Sequence, residues 1–160
     1  MKIDKERLSS FIDRYEEAMF HVTRRVNAAT RDSLPAELTL EQYTVIRYIY
    51  KRGRCTSSEL ADVFCIGKSS VTAIINRLSD KRLIERLPDE KDRRVTFLKL
   101  TPEGERIAET LTERIQELLS RYLQHFSEEE ARAFIGTFEK FARLLIETQQ
   151  PGLEGEAEKS

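Results

Sequence analysis

The stretch from Thr56 to Thr101 constrains this chain most, because its hydrophobic period switches from helical to strand-like and back within a single short segment. Thr56 followed three residues later by Glu59 is a helix-start signature, and a short helix runs on through Leu60, Ala61 and Phe64. Cys65-Ile66-Gly67 makes a turn. A second helix then runs from Lys68 to about Lys81, with Val71, Ile74, Ile75 and Leu78 on its inward face. Leu83 to Leu87 and Val95 to Leu100 are strand-like runs flanking the charged loop Pro88 to Arg94, a β-hairpin. Two short helices joined by a turn and followed at once by a basic hairpin predict a helix-turn-helix with a wing.

Those elements place particular side chains in reach of a duplex. If Val71, Ile74 and Ile75 face inward, then Lys68, Ser69, Ser70, Thr72, Ala73, Asn76 and Arg77 face outward along the second helix. Asn76 suits a bidentate contact to adenine, and the hydroxyls suit either base type. Gly67 brings no side-chain acceptor to the cap, which leaves the first backbone N–H groups available to a DNA phosphate. At the hairpin tip Lys91, Asp92, Arg93 and Arg94 gather three cations around one carboxylate. Arginine suits the negative potential of a narrow minor groove, and Asp92 can hold a neighbouring guanidinium in place. Arg54, Thr56, Ser57, Lys68, Arg77, Arg82 and Arg86 are the candidate phosphate contacts. The plainer reading, a solvated helix face and an ordinary charged turn, loses weight because both lie in one helix-turn-helix and hairpin context.

Overall charge argues against a nucleic-acid partner, at −1 with a pI of about 6.2. Its distribution argues for one. Residues 41 to 101 carry 13 Lys and Arg against 8 Asp and Glu, whereas residues 102 to 160 carry 7 against 13. A basic block beside an acidic one is the footprint of a DNA-binding lobe on a scaffold. Cys55 and Cys65 form no CxxC pair, and His21 and His125 have no second ligand at metal spacing, so neither a zinc site nor another cofactor is expected. Neither a nucleophile and base pair nor a glycine-rich phosphate loop is evident, which sets an enzyme aside. With neither a signal-like start nor a long apolar run, a cytosolic protein without membrane association is expected.

The flanks read as helices with apolar stripes. Leu8, Phe11, Ile12, Tyr15, Met19, Val22 and Val26 recur at helical spacing from about Asp4 to Ala29, and Thr39 with Gln42 caps a second helix that Gly53 stops near Arg52. Thr101-Pro102 opens a helix through Ile107, Leu111, Ile115, Leu118, Leu119 and Tyr122. Ser127 with Glu130 opens a last one that buries Phe134, Ile135, Phe138, Phe141 and Leu145. The expected architecture is mainly α with a small β-hairpin wing: residues 1–34 a dimerisation helix, 35–101 a winged helix-turn-helix DNA-binding lobe, 102–148 dimerisation helices, and 149–160 a disordered tail.

The run from Leu38 to Tyr43, then Ser58-Glu59-Leu60-Ala61, Lys68-Ser69-Ser70-Val71-Thr72, Asp92-Arg93-Arg94 and Leu100-Thr101-Pro102-Glu103-Gly104, resembles in order and spacing the MarR family of bacterial winged-helix regulators. The likeness extends over roughly residues 8 to 147. It implies a homodimer whose first, fifth and sixth helices intertwine while two lobes bind a pseudo-palindromic operator on double-stranded DNA, with Asp92 and Arg94 as the minor-groove tip. It further implies a regulator, in many members a repressor, released by a small aromatic or anionic effector or by cysteine oxidation. Cys65 stands where the family commonly has a turn glycine, and the first helix lacks the cysteine of the family's peroxide sensors. Phe20, His21, Arg24, Arg47 and Tyr50 are the candidate effector-pocket residues; the alternative makes the two aromatics core and the arginines solvated. Two rival functions are oxidation sensing through Cys55 or Cys65, which otherwise read as small buried residues, and a winged helix serving only protein interaction.

Overall fold

The computed structural model describes residues 4–148, so the expected tail lies outside the described residues. Along the chain run α1 (Lys5–Ser33), α2 (Leu40–Arg52), β1 (Cys55–Thr56), α3 (Ser57–Phe64), α4 (Lys68–Asp80), β2 (Ile84–Pro88), β3 (Thr96–Leu100), α5 (Pro102–Leu123) and α6 (Glu128–Thr148). The first helix outlasts its expected end by a full turn. Thr30 and Ser33 satisfy their hydroxyls on the carbonyls of Val26 and Ala29, so the helix continues until Leu34, extended ahead of Pro35, stops it.

Local chemistry explains the next boundaries. Thr39 and Gln42 form a reciprocal capping box at 3.2 and 3.3 Å, and Gly53 closes α2 at φ 78° while its N–H bonds the Ile49 carbonyl. At α3 only half the expected box exists. Thr56 Oγ1 accepts the Glu59 N–H at 3.1 Å, but the Glu59 carboxylate accepts the Tyr48 hydroxyl at 2.6 Å. That exchange ties α3 to α2.

The hairpin is part of a three-stranded antiparallel sheet in the order β1-β3-β2. Cys55 lies opposite Leu98 from one side of β3 and Arg86 opposite the same residue from the other. Opposed residues in an antiparallel ladder share a face. Ile84, Arg86, Leu98 and Leu100 therefore lie on one side, and Leu87, Phe97, Glu85 and Lys99 on the other. The first side meets the core, where Ile46, Ile49, Leu60, Leu78 and Leu111 are fully buried with Val71, Ile75, Leu83 and Ala108 around them. Ile74 is half-buried and packs against the cluster.

Sheet and α5 meet at Thr101. Its N–H donates to the Leu83 carbonyl at 3.1 Å, its hydroxyl donates to the Arg82 carbonyl at 2.7 Å, and the same oxygen accepts the Gly104 N–H at 3.1 Å. Gly104 is there because nothing larger fits: a Cβ at this position would lie 2.1 Å from the Leu83 carbonyl oxygen.

Two compact units divide at Ile115 and Gln116. In the second, Ser127 and Glu130 complete the expected capping box at 2.8 and 3.2 Å. Here one expectation fails within a single chain. Phe134, Ile135, Phe138, Phe141 and Leu145 are exposed rather than buried, and α6 buries no side chain at all. Phe134 and Phe138, one turn apart, stack on each other with ring centroids 5.6 Å apart. In the first unit α1 likewise leaves Leu8, Phe11, Ile12, Tyr15 and Val22 exposed and buries only Thr30.

Candidate nucleic-acid interface

α4 is divided lengthwise. Val71, Ile75 and Leu78 are buried in the core, while Lys68, Ser69, Ser70, Thr72, Ala73, Asn76 and Arg77 are all exposed. Gly67 caps it in an extended conformation without a side-chain hydrogen bond, so the first-turn N–H groups and their positive helix end face outward. The preceding turn is made by Cys65, a non-glycine residue at φ 52° in the left-handed region, whose backbone N–H closes α3. Cys65 is exposed, which corrects the expectation of two buried cysteines; Cys55 alone is buried.

The polar groups of α4 are already partly committed. Thr72 donates its hydroxyl proton to the Lys68 carbonyl at 2.8 Å, leaving oxygen lone pairs and a methyl group outward. Asn76 Oδ1 accepts Arg86 Nη2 at 2.7 Å. Arg86, expected only at phosphates, thus reaches from β2 to the exposed face of α4. Strand period explains it: Arg86 occupies a core-side position on β2, where a guanidinium cannot enter the core unpaired and extends past its edge.

At the wing tip Asp92 organises its neighbours. Its Oδ1 accepts the Arg94 backbone N–H at 3.0 Å and Arg94 Nε at 3.3 Å, and its carbonyl accepts the Val95 N–H at 2.9 Å. Lys91 is bound similarly, through its N–H to Asp89 Oδ1 at 2.9 Å. The Arg94 side chain is 92% exposed, so this ion pair adds about 0–1 kcal/mol at most to stability. Its value is orientation. Arg93 is exposed beside it.

The expected phosphate contacts lie at the edges of these elements. Arg54 stacks its guanidinium 4.0 Å over the Phe97 ring, a cation–π contact that stiffens a long side chain. Sequence reasoning passed over Phe97 in this role; its place on the outward side of β3 between inward Leu98 and Thr96 was the available signal. Thr56 is occupied as the α3 cap, Ser57 is exposed in the first turn of α3, and Arg82 is exposed at φ 57° between α4 and β2.

The candidate effector residues are spread out. Phe20, His21 and Arg24 cluster along α1, ring edge to ring at 5.4 Å and guanidinium over ring at 5.1 Å. Tyr50 on α2 instead donates to Glu109 of α5 at 3.3 Å, and Arg47 lies near Tyr43, whose hydroxyl pKa is raised by burial against the opposing pull of Arg47. Phe20 and Tyr50 are both exposed, so the alternative that made them core does not hold within one chain. Among the described residues no group of acidic, His and Cys side chains is arranged to hold a metal ion, and no helix is long and apolar enough to cross a membrane.

Burial argues against Cys55 as a sensor. Desolvation first, and the Glu59 charge second, push its thiol up to about 12, so no reactive thiolate forms near neutral pH. The neighbouring Tyr48 hydroxyl is also held up at about 12, by burial and its bond to Glu59.

A family model described as the MarR family matches residues 38–96. The uncharacterized HTH-type transcriptional regulator YsmB of Bacillus subtilis (strain 168) is 32% identical over 120 residues, covering 74% of this chain and 82% of the relative. Among solved structures, the YusO protein from Bacillus subtilis is 30% identical with a TM-score of 0.59, covering 88% of this chain and 99% of that one. A cysteine-to-serine mutant of MarR from E. coli, crystallised in complex with operator DNA, has the same fold at 24% identity and a TM-score of 0.69, covering 81% and 94%.

Proposed function

We propose that this chain, which belongs to the MarR family of HTH-type transcriptional regulators, works as a homodimer that places α4 in the major groove and the Arg94 wing tip in the minor groove of a pseudo-palindromic operator. The observation that carries the reading is the division of α4. A helix anchored by Val71, Ile75 and Leu78 offers an unbroken row of small polar and basic side chains to solvent. In this reading residues 35–101 bind DNA, residues 1–34 and 102–148 pair with a second copy through the exposed stripes of α1 and α6, and the protein acts in the cytoplasm without catalysis. Repression, relieved by a small aromatic or anionic molecule near Phe20, His21, Arg24, Arg47 and Tyr50, completes the proposal. The division of α4 also favours DNA over a protein-only role, since interface cores are depleted in such charge.

Fluorescence anisotropy on an operator duplex tests it. Arg94→Ala is expected to weaken binding about tenfold, Asp92→Ala to act in the same direction, and Arg93→Ala to do less, with thermal stability unchanged in all three. Arg94→Ala binding as tightly as the parent would overturn the wing assignment.

A further inference from the structure

We propose that Arg86 decides which base Asn76 reads: by holding the amide oxygen and adding a cation beside it, Arg86 makes the two residues a donor-rich, positively charged pair that selects guanine rather than adenine. The inference rests on the reading of α4 as the major-groove element. Bidentate recognition of adenine needs both ends of the amide, the oxygen to accept from N6 and the nitrogen to donate to N7. Here the oxygen accepts Arg86 Nη2 at 2.7 Å, a short charge-assisted bond. The orientation of the amide follows from chemistry alone, because a guanidinium has no acceptor and must face the oxygen. What remains available is the Asn76 NH₂, the unused Arg86 N–H groups and one lone pair of the amide oxygen.

The pair therefore presents mostly donors, with one lone pair left on the amide oxygen, and it carries one positive charge. Guanine is the base whose major-groove edge offers two adjacent acceptors, N7 and O6. Adenine offers a single acceptor, and its N6 donor would meet the guanidinium N–H groups and only the one lone pair left on the amide oxygen. Arg86 is in none of the ion pairs among the described residues, so no carboxylate competes with Asn76 for it. Thr72 lies one turn earlier on the same face with opposite polarity, its proton spent on Lys68 and its oxygen outward. Its hydroxyl bonds Lys68 rather than Arg86, so it serves as an internal control.

The experiment is selection from a randomised duplex pool by the full-length protein, followed by anisotropy on duplexes that differ at single base pairs. The pair read by Asn76 is the one at which Asn76→Ala loses discrimination. At that pair the wild-type chain is expected to prefer guanine over adenine about tenfold. Arg86→Ala, an exposed substitution, should release the amide oxygen and turn the preference to adenine, while Arg86→Lys, which restores a donor, should keep guanine. Preference at the pair read by Thr72 should not move. A wild-type preference for adenine, or an Arg86→Ala protein that still selects guanine at that pair, would overturn the inference and leave DNA binding intact. A wild-type chain that binds no duplex selectively would instead overturn the reading beneath it.

Discussion

α4 and α6 are both amphipathic helices, yet α4 buries three side chains in 13 residues and α6 buries none in 21. The difference lies in what each leaves outside. α4 has found its core and turns serines, a threonine, an asparagine and cations to solvent, whereas α6 turns Phe134, Phe138, Phe141 and Leu145 there. Full burial of each such side chain is worth about 1.5–3 kcal/mol, so a helix showing four of them is far from its most stable surroundings. An exposed polar face and an exposed apolar face teach different things: the first is finished in water, and the second is completed only by another apolar surface.

The sharpest way to break this contrast is to charge the apolar face. Phe138→Asp is expected to convert a dimer into a monomer of 18.7 kDa by sedimentation at micromolar concentration, and to cost operator affinity about 10²–10⁴-fold as two linked half-site contacts become independent. Thermal unfolding of the lobe should persist. A Phe138→Asp protein that remains dimeric would remove the distinction.

A smaller effect tests whether the lobe is closed as tightly as its buried core implies. Replacing a helical glycine by alanine ordinarily gains about 1 kcal/mol. At Gly104 the new methyl would meet a backbone oxygen at 2.1 Å, and overpacking of that kind costs about 1–3 kcal/mol, so Gly104→Ala should lower the melting temperature. A rise would mean that α5 and the sheet are looser than the α4 core beside them.

The effect that vanishes at neutral pH is alkaline. Below about pH 9 the Cys55 thiol is neutral in folded and unfolded chains alike, and its contribution is constant. Above it the unfolded thiol ionises while the buried one, held up at about 12, does not, so stability falls as the pH climbs from about 9 to about 12. Tyr48 adds to the same limb from its ordinary 10.0 upward. Cys55→Ala should flatten the slope in alkaline unfolding titrations. If the slope is unchanged, Cys55 is less enclosed than its neighbours Leu60 and Leu98.

Signals confined to neighbours in sequence were legible. The boxes at Thr39 with Gln42 and Ser127 with Glu130, the Thr101-Pro102 start and the inward row of α4 depend on spacings of three or four residues, and they form as the spacing predicts. Whatever needed a third partner was not legible. Glu59 has the right spacing for a second box, but Tyr48 from another helix takes its carboxylate. β1 is two residues long, too short for an alternation to appear, and exists only because β3 offers an edge. The same holds at the site. Asp92 and Arg94 are two residues apart and pair as sequence reasoning suggests, whereas the Arg86 bond to Asn76 spans two elements and shows only once the strand register is known. The burial expected for α6 failed for a related reason, since an apolar stripe shows that a helix needs a partner surface but not where that surface lies.

Thr101 has a mechanical consequence. Three hydrogen bonds through one residue join the root of the wing sheet to the first turn of α5, and the close approach of Gly104 to Leu83 removes slack between them. Such a junction is a weld, not a hinge. Any tilt of α5 is passed whole to the strands, and a strand of five residues is a lever arm of about 17 Å. A tilt of about 5° at the weld displaces the far end of that arm by about 1.5 Å, which stretches an ordinary hydrogen bond beyond its working range. The position of Arg94 is therefore geared to small rotations far from the tip.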